Sequence, residues 1–148
     1  MLNYRNMHGA AITLVGIAAR AANDRPEAIA ALWQRFETEH ILASIPHRVS
    51  DDVYALYTDY EADQHGEYTL LIGCAVERHD GLPDGLVARS IPAADYALVD
   101  ASGPQPQSIV AAWQSIWAGD LKRAYSNDFD LYSAAEPGRV TVHVALRP

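Results

Sequence analysis

Apolar and polar positions along the chain follow two alternating periods. Ile12, Leu14, Val15 and Ile17 sit inside the apolar run Ala10 to Ala19, which reads as a buried strand. Asn23-Asp24 ends it, and Arg25-Pro26 then places a proline where the first turn of a helix accepts one. From there Ile29, Leu32, Trp33 and Phe36 recur every three or four residues, with Gln34, Glu37 and Glu39 opposite them. That is an amphipathic helix, and the pattern carries it to about Ile45-Pro46. Val53 to Tyr57, β-branched and aromatic, predicts a strand; Asp59 to Gly66 is a polar turn, and Tyr68 to Val76 is the next strand.

The turn formers Asp80 to Gly85 divide the chain near its middle, and the pattern then starts again. Leu86 to Ile91 and Asp95 to Asp100 read as strands. Gln107 to Leu121 reads as a helix with the apolar face Ile109, Val110, Trp113, Ile116 and Trp117. Phe129 to Tyr132 and Val140 to Leu146 close the chain as strands on either side of Glu136-Pro137-Gly138. The two series can be laid over one another, sharing Ile, Ala, Trp and Gln in the helix segment. Ile29-Ala30-Ala31-Leu32-Trp33-Gln34 lies eighty positions before Ile109-Val110-Ala111-Ala112-Trp113-Gln114, with Pro26 against Pro106 at the same offset. Tyr54-Ala55-Leu56-Tyr57 lies seventy-five positions before Phe129-Asp130-Leu131-Tyr132. The expected fold is therefore α+β, with two β-α-β-β halves, about residues 10–78 and 86–147, inside one domain spanning 1–148. Their strands would join into one curved antiparallel sheet with both main helices on one face and a ligand pocket on the other.

Composition narrows what such a domain does. The 148 residues are 49% hydrophobic and 20% charged, ordinary for a globular chain with one core. The net charge of −8 repels phosphate backbones and anionic lipid, so neither nucleic acid nor a membrane surface is an expected partner. The run from Ala10 is too short to span a bilayer and lacks the order of parts of a signal peptide. A single cysteine, Cys74, makes no internal disulfide, and the expected compartment is the cytoplasm. The six histidines, His8, His40, His47, His65, His79 and His143, show no metal-ligand spacing, and the glycines form no phosphate-binding loop. Neither a metal nor another cofactor is expected. Ser44, Ser90 and Cys74 lack the setting of a catalytic nucleophile.

Several segments together carry a family likeness: Leu32-Trp33-Gln34-Arg35-Phe36, Tyr54 to Glu61, Tyr68 to Gly73, Ile91 to Ala97, Ala112 to Trp117 and Asp128-Phe129-Asp130-Leu131-Tyr132. Over nearly its whole length the chain resembles the gyrase-inhibitor-like effector-binding superfamily, the ligand-sensing domain of many multidrug-responsive and AraC-type transcription activators. It is particularly similar to free-standing members, including those on mobile gene cassettes that bind cationic drugs. The resemblance implies a pocket whose glutamate, in a Phe-Glu-Leu-Tyr strand, faces the ligand's positive charge; the matching residue is Asp130, which keeps the charge and is one methylene shorter. It also implies a sensor or sequestering module without its own DNA-binding output; a separate regulator protein is one candidate partner, and monomer and homodimer both stay open.

Alternation along the last strands sends Phe129 and Leu131 toward the helices and Asp130 with Tyr132 toward the open face. Tyr57 matches Tyr132 in the repeat and should project likewise, so Asp130, Tyr57 and Tyr132 lead the ligand-binding candidates. Tyr54, expected under a helix, Trp117, one turn beyond Trp113 at the expected rim, and Glu61, a second carboxylate at a strand end, complete the set. Trp33 and Trp113 are expected in the core. The expected ligand is a cationic or amphipathic aromatic molecule. Two alternatives use other chemistry. Some members of the superfamily hydrolyse cyclopropane-containing toxins, and Glu61 or Asp130 would then position a water. A protein-interaction module would use the acidic surface against a basic partner, as the gyrase inhibition of some relatives suggests, and would be salt-sensitive.

Overall fold

The computed structural model describes residues 2–148. In chain order the elements are β1 (Arg5–Gly9), β2 (Ile12–Ala22), α1 (Pro26–Thr38), α2 (Ile41–Ser44), β3 (Val53–Thr58), β4 (Glu67–Ala75), β5 (Val87–Ile91), β6 (Ala94–Asp100), α3 (Gln107–Ala118), β7 (Asp128–Tyr132) and β8 (Val140–Ala145). The proline-led start of the first helix holds, but that helix is shorter than its apolar pattern suggests. His40 takes a left-handed conformation (φ 51°) that cannot continue a helix, so α1 stops at Thr38 and a single turn, α2, carries Ile41 into the core. β1 is an element that the hydrophobic pattern does not announce, because its side chains are almost all exposed. It lies ahead of the first strand that the pattern predicts.

All eight strands form one antiparallel sheet in the order β1-β6-β8-β7-β3-β4-β2-β5. The order is palindromic in the repeat: β6-β8-β7 of the second half meets β3-β4-β2 of the first across the β7–β3 seam. In that seam Ala55 pairs with Asp130 and Val53 with Tyr132. The seventy-five-residue offset carries Ala55 onto Asp130, so the pseudo-twofold axis passes between these two residues.

The edge strands are exchanged between halves. β1 precedes β2 in sequence yet pairs with β6, and β5 precedes β6 yet pairs with β2. In a flat sheet β1 and β2 would lie six strand spacings, about 29 Å, apart. Only Ala10 and Ala11 separate them, and three peptide steps reach roughly 11 Å. The sheet must therefore curl until its ends approach. The same argument applies to β5 and β6, joined through Pro92-Ala93.

The curl fills the face turned away from the helices. Leu14, Leu56, Leu71, Ile91, Tyr96, Leu98 and Phe129 form a buried cluster there, with Tyr54 and Leu131 packed against it. On the helix face, α1 covers Val15, Ile17, Leu70 and Ile72, while Trp113 and Ile116 of α3 pack with Val99, Val140, Val142 and Val144. This reverses one expectation from sequence. The period-two alternation of β3 and β7 is present, but Phe129 and Leu131 point away from the helices, and Asp130 with Tyr132 points toward them. The open face expected to hold the ligand is closed by the sheet's own apolar side chains. The space that remains lies on the helix side.

Candidate functional site

That space is a cavity of about 650 Å3 between α1, α3 and the central strands. Its walls follow the pseudo-symmetry. Trp33 of α1 meets Tyr132 of β7 edge-on at 5.3 Å, and Trp113 of α3 meets Tyr57 of β3 edge-on at 5.2 Å. The two tryptophans are repeat mates, as are the two tyrosines, and each contact joins one half to the other. Ile29, Ile109 and Trp117 add apolar surface, and Tyr60, Tyr68, Gln64 and Arg123 are among the other residues that line it.

The pocket's carboxylate is Asp130, 1% exposed. Tyr57 donates its hydroxyl to Oδ2 at 2.6 Å, and Trp113 donates Nε1–H to Oδ1 at 2.9 Å. Burial pushes the Asp130 pKa up to about 7; the two donors pull against that shift, and nearby Asp128 adds a smaller upward push. Burial, followed by the charge of Asp130, also holds Tyr57 well above its ordinary range, so it remains a hydroxyl that donates. The site thus keeps a titratable negative charge at the boundary between neutral and ionised in an aromatic box.

A second carboxylate, Asp128, is fully committed to the protein. Its Oδ2 accepts from Tyr60 at 2.5 Å and from Arg123 Nη2 at 2.9 Å, and its Oδ1 accepts the backbone N–H of Ala145 at 2.7 Å. Burial lifts its pKa, with Arg123, Tyr60 and Ala145 opposing. This ion pair is buried on both sides, and it anchors the segment between α3 and β7 against β8. Among the described residues no group of three or more His, Cys, Asp or Glu is arranged to hold a metal ion, and no helix is long and apolar enough to cross a membrane.

Of the residues singled out in the sequence, Asp130, Tyr57, Tyr132 and Trp117 line this cavity. Tyr54 and Glu61 do not. Tyr54 lies on the opposite face, 5.4 Å from Phe129, because alternation sets it against Tyr57. Glu61 is exposed beside the β3–β4 turn, where its backbone N–H bonds Glu67 O. Trp33 and Trp113, expected in the core, are cavity walls; Trp113 is both, buried at 9% exposure and bonded to Asp130. Their repeat relation to each other, read together with that of Tyr57 and Tyr132, is the signal that could have found them. Arg123, Gln64 and Tyr60 left no such trace, since they come from connecting segments without periodicity.

A carboxylate at the bottom of an aromatic cavity, roofed by two helices on a duplicated antiparallel sheet, defines an effector-binding protein of the gyrase-inhibitor-like class. The family of integron-associated effector-binding proteins matches over residues 9–145, and the chain belongs to it. It is 30% identical over 144 residues to YobU of Bacillus subtilis (strain 168), a protein whose name assigns it provisionally to the transcriptional regulators; the match covers 89% of this chain and 90% of YobU. The integron cassette protein VCH_CASS2, from the mobile metagenome of Vibrio cholerae, has a similar structure, with a TM-score of 0.79, 25% identity and coverage of 97% of this chain and 95% of that one. SAV2435, solved bound to tetraphenylphosphonium, shares the fold with a TM-score of 0.81 at 18% identity, over 99% and 94% of the two chains.

Proposed function

We propose that this protein is a ligand sensor that captures a small, amphipathic aromatic cation in the cavity between α1 and α3, with Asp130 as the counter-charge. The observation that carries the reading is the position of that carboxylate: buried, inside a cavity walled by tryptophan and tyrosine, and held by two donors that leave its charge facing aromatic surface. A desolvated cation meets two attractions there. The carboxylate supplies a charge partner in a medium where water does not screen it. Each ring face adds a cation–π attraction of about 0.5 to 2 kcal/mol. The ligand of SAV2435, a lipophilic aromatic cation, and the regulator name of YobU support the same reading.

The test is isothermal titration and thermal shift with tetraphenylphosphonium on the parent protein and on Asp130→Asn, with bound ligand recovered and weighed by mass spectrometry. The expected result is a ligand-dependent rise in melting temperature that is lost in Asp130→Asn, with the cation recovered unchanged. Absence of binding by the parent, or equal binding by Asp130→Asn, overturns the charged-pocket reading. A second reading, hydrolysis of a reactive small molecule, has one observation in its favour: a carboxyl with a pKa of about 7 is poised as a general base. Turnover of a supplied electrophile, seen as a mass gain of one water, would favour it over the sensor.

A further inference from the structure

We propose that Arg123 forms a second polar subsite in the cavity and receives a neutral hydrogen-bond acceptor, a carbonyl or ether oxygen, from the same ligand whose cation faces Asp130. The inference rests on the sensor reading above and adds the chemical class of ligand. Arg123 is 6% exposed and forms part of the cavity wall. Its charge is answered by Asp128, 2.9 Å away. Its donors are not. A guanidinium carries five N–H bonds. Nη2 is engaged with Asp128 and Nη1 reaches Gln64 Oε1 only at 3.4 Å; Nε meets no acceptor of the protein but has almost no accessible surface, so Nη1 is the donor left for a ligand. Gln64 Oε1 is itself divided between Arg123 and Tyr125, whose hydroxyl lies 3.5 Å away. Both bonds are long enough for a better-placed oxygen to displace them.

Charge decides that the acceptor is neutral. Asp128 already balances the guanidinium, and a carboxylate or phosphate on the ligand would add a negative group beside Asp128 and Asp130. Distance decides that one ligand reaches both groups. The Arg123 Cζ atom lies 5.6 Å from the centre of the Trp113 ring, and the same ring donates its N–H to Asp130. Guanidinium and carboxylate therefore flank a single indole. A ligand of this class is an aromatic cation with an oxygen acceptor about one ring away from its charge.

The experiment compares two tetraarylphosphonium ions of equal shape, one bearing a para-acetyl group and the other para-isopropenyl, so that only C=O and C=CH2 differ. Titration calorimetry on the unaltered protein is expected to show the acetyl ion binding tighter by about fivefold or more. Arg123→Lys keeps a charge opposite Asp128 but loses the donor fork, and should bring the two affinities to within about twofold of each other. Asp130→Asn should weaken both ions and keep their ratio. Equal affinities in the unaltered protein, or a ratio untouched by Arg123→Lys, overturn the subsite and leave the sensor reading standing; if neither ion binds, that reading falls as well. Should Arg123→Lys not fold, a para-dimethylcarbamoyl ion, whose amide oxygen is the stronger acceptor, decides the matter on the unaltered protein. Tighter binding than the acetyl ion supports the subsite, and equal or weaker binding overturns it.

Discussion

Asp130 is a buried acid whose proton equilibrium, on the proposed reading, sets the affinity of the cavity for a cation. A bound cation favours the ionised carboxylate, so binding at pH 7 should release protons, and affinity should fall as pH drops below the pKa of about 7. Calorimetry in buffers of different ionisation enthalpy checks both effects. Tyr57→Phe removes the 2.6 Å donor and should move the pH midpoint of binding upward by about one unit, the equivalent of about 1.4 kcal/mol. The same group shapes stability. Its folded pKa lies above the unfolded value of about 3.9, so the folded state holds the extra proton, and stability falls as pH rises from about 4 to about 7. His143 acts in the opposite sense: burial lowers its pKa to about 4, so its contribution is present above the unfolded value of about 6.5 and is lost as pH falls toward 4. In Asp130→Asn only the histidine effect of this pair remains. Thermal melts of that variant should exceed the parent at pH 8 and decline on acidification from about 6.5 to 4.5. Melting curves that run parallel to the parent over this range would contradict the assignment. The carboxylate was legible in the sequence because strand period and family pattern both pointed to it. Its near-neutral pKa was not, because burial on a strand depends on what the other half lays over it.

Glycines mark where the strands come closest. Gly16 of β2 and Gly73 of β4 are directly paired, and a Cβ on either would lie 2.0 Å from Ile72 O or 1.9 Å from Val15 O. Backbone atoms cannot yield as a side chain does. Gly16→Ala or Gly73→Ala should therefore destabilise by several kcal/mol, on the order of 3 or more, in urea unfolding. A change below 1 kcal/mol would mean that the close approach is not structural. Strands and helices with a strong period were readable almost to their ends: β3 and β7 each run one residue past the spans read from sequence, and α3 lies within Gln107 to Leu121. β1 was not, since an exposed edge strand of Arg5, Asn6, Met7, His8 and Gly9 carries neither alternation nor apolar content. The choice of helix face was not legible either. Alternation separates Tyr54 from Tyr57 and Phe129 from Asp130, but a single strand does not record which side the helices occupy.

Exchange of β1 and β5 ties the halves together at both ends of the sheet, in addition to the β3–β7 seam. A half alone keeps three of its own strands but loses the edge strand that covers its outer ladder and the tyrosine against which its tryptophan rests. Cutting the chain in the exposed turn near Asp84-Gly85 should thus give two fragments that are unfolded separately by circular dichroism and regain structure when mixed. A fragment that folds alone with a sharp melting transition would contradict this interdependence. The duplication was legible, because Ile29 to Gln34 and Ile109 to Gln114 can be laid over one another. The exchange was not, because it depends on pairing partners far apart in the chain.

The register across the seam has a further consequence. Ala55 faces Asp130 across the axis and occupies the equivalent place in the other half, so the duplicated scaffold offers two seats for an acid and fills one. Two carboxylates at that spacing would share a proton rather than both ionise. Ala55 puts a methyl group where the first half would seat its acid, so of this equivalent pair only the second half carries a carboxylate. On the proposed sensor reading, one monovalent cation per chain is the expected load, with its charge end set toward the second half of the chain.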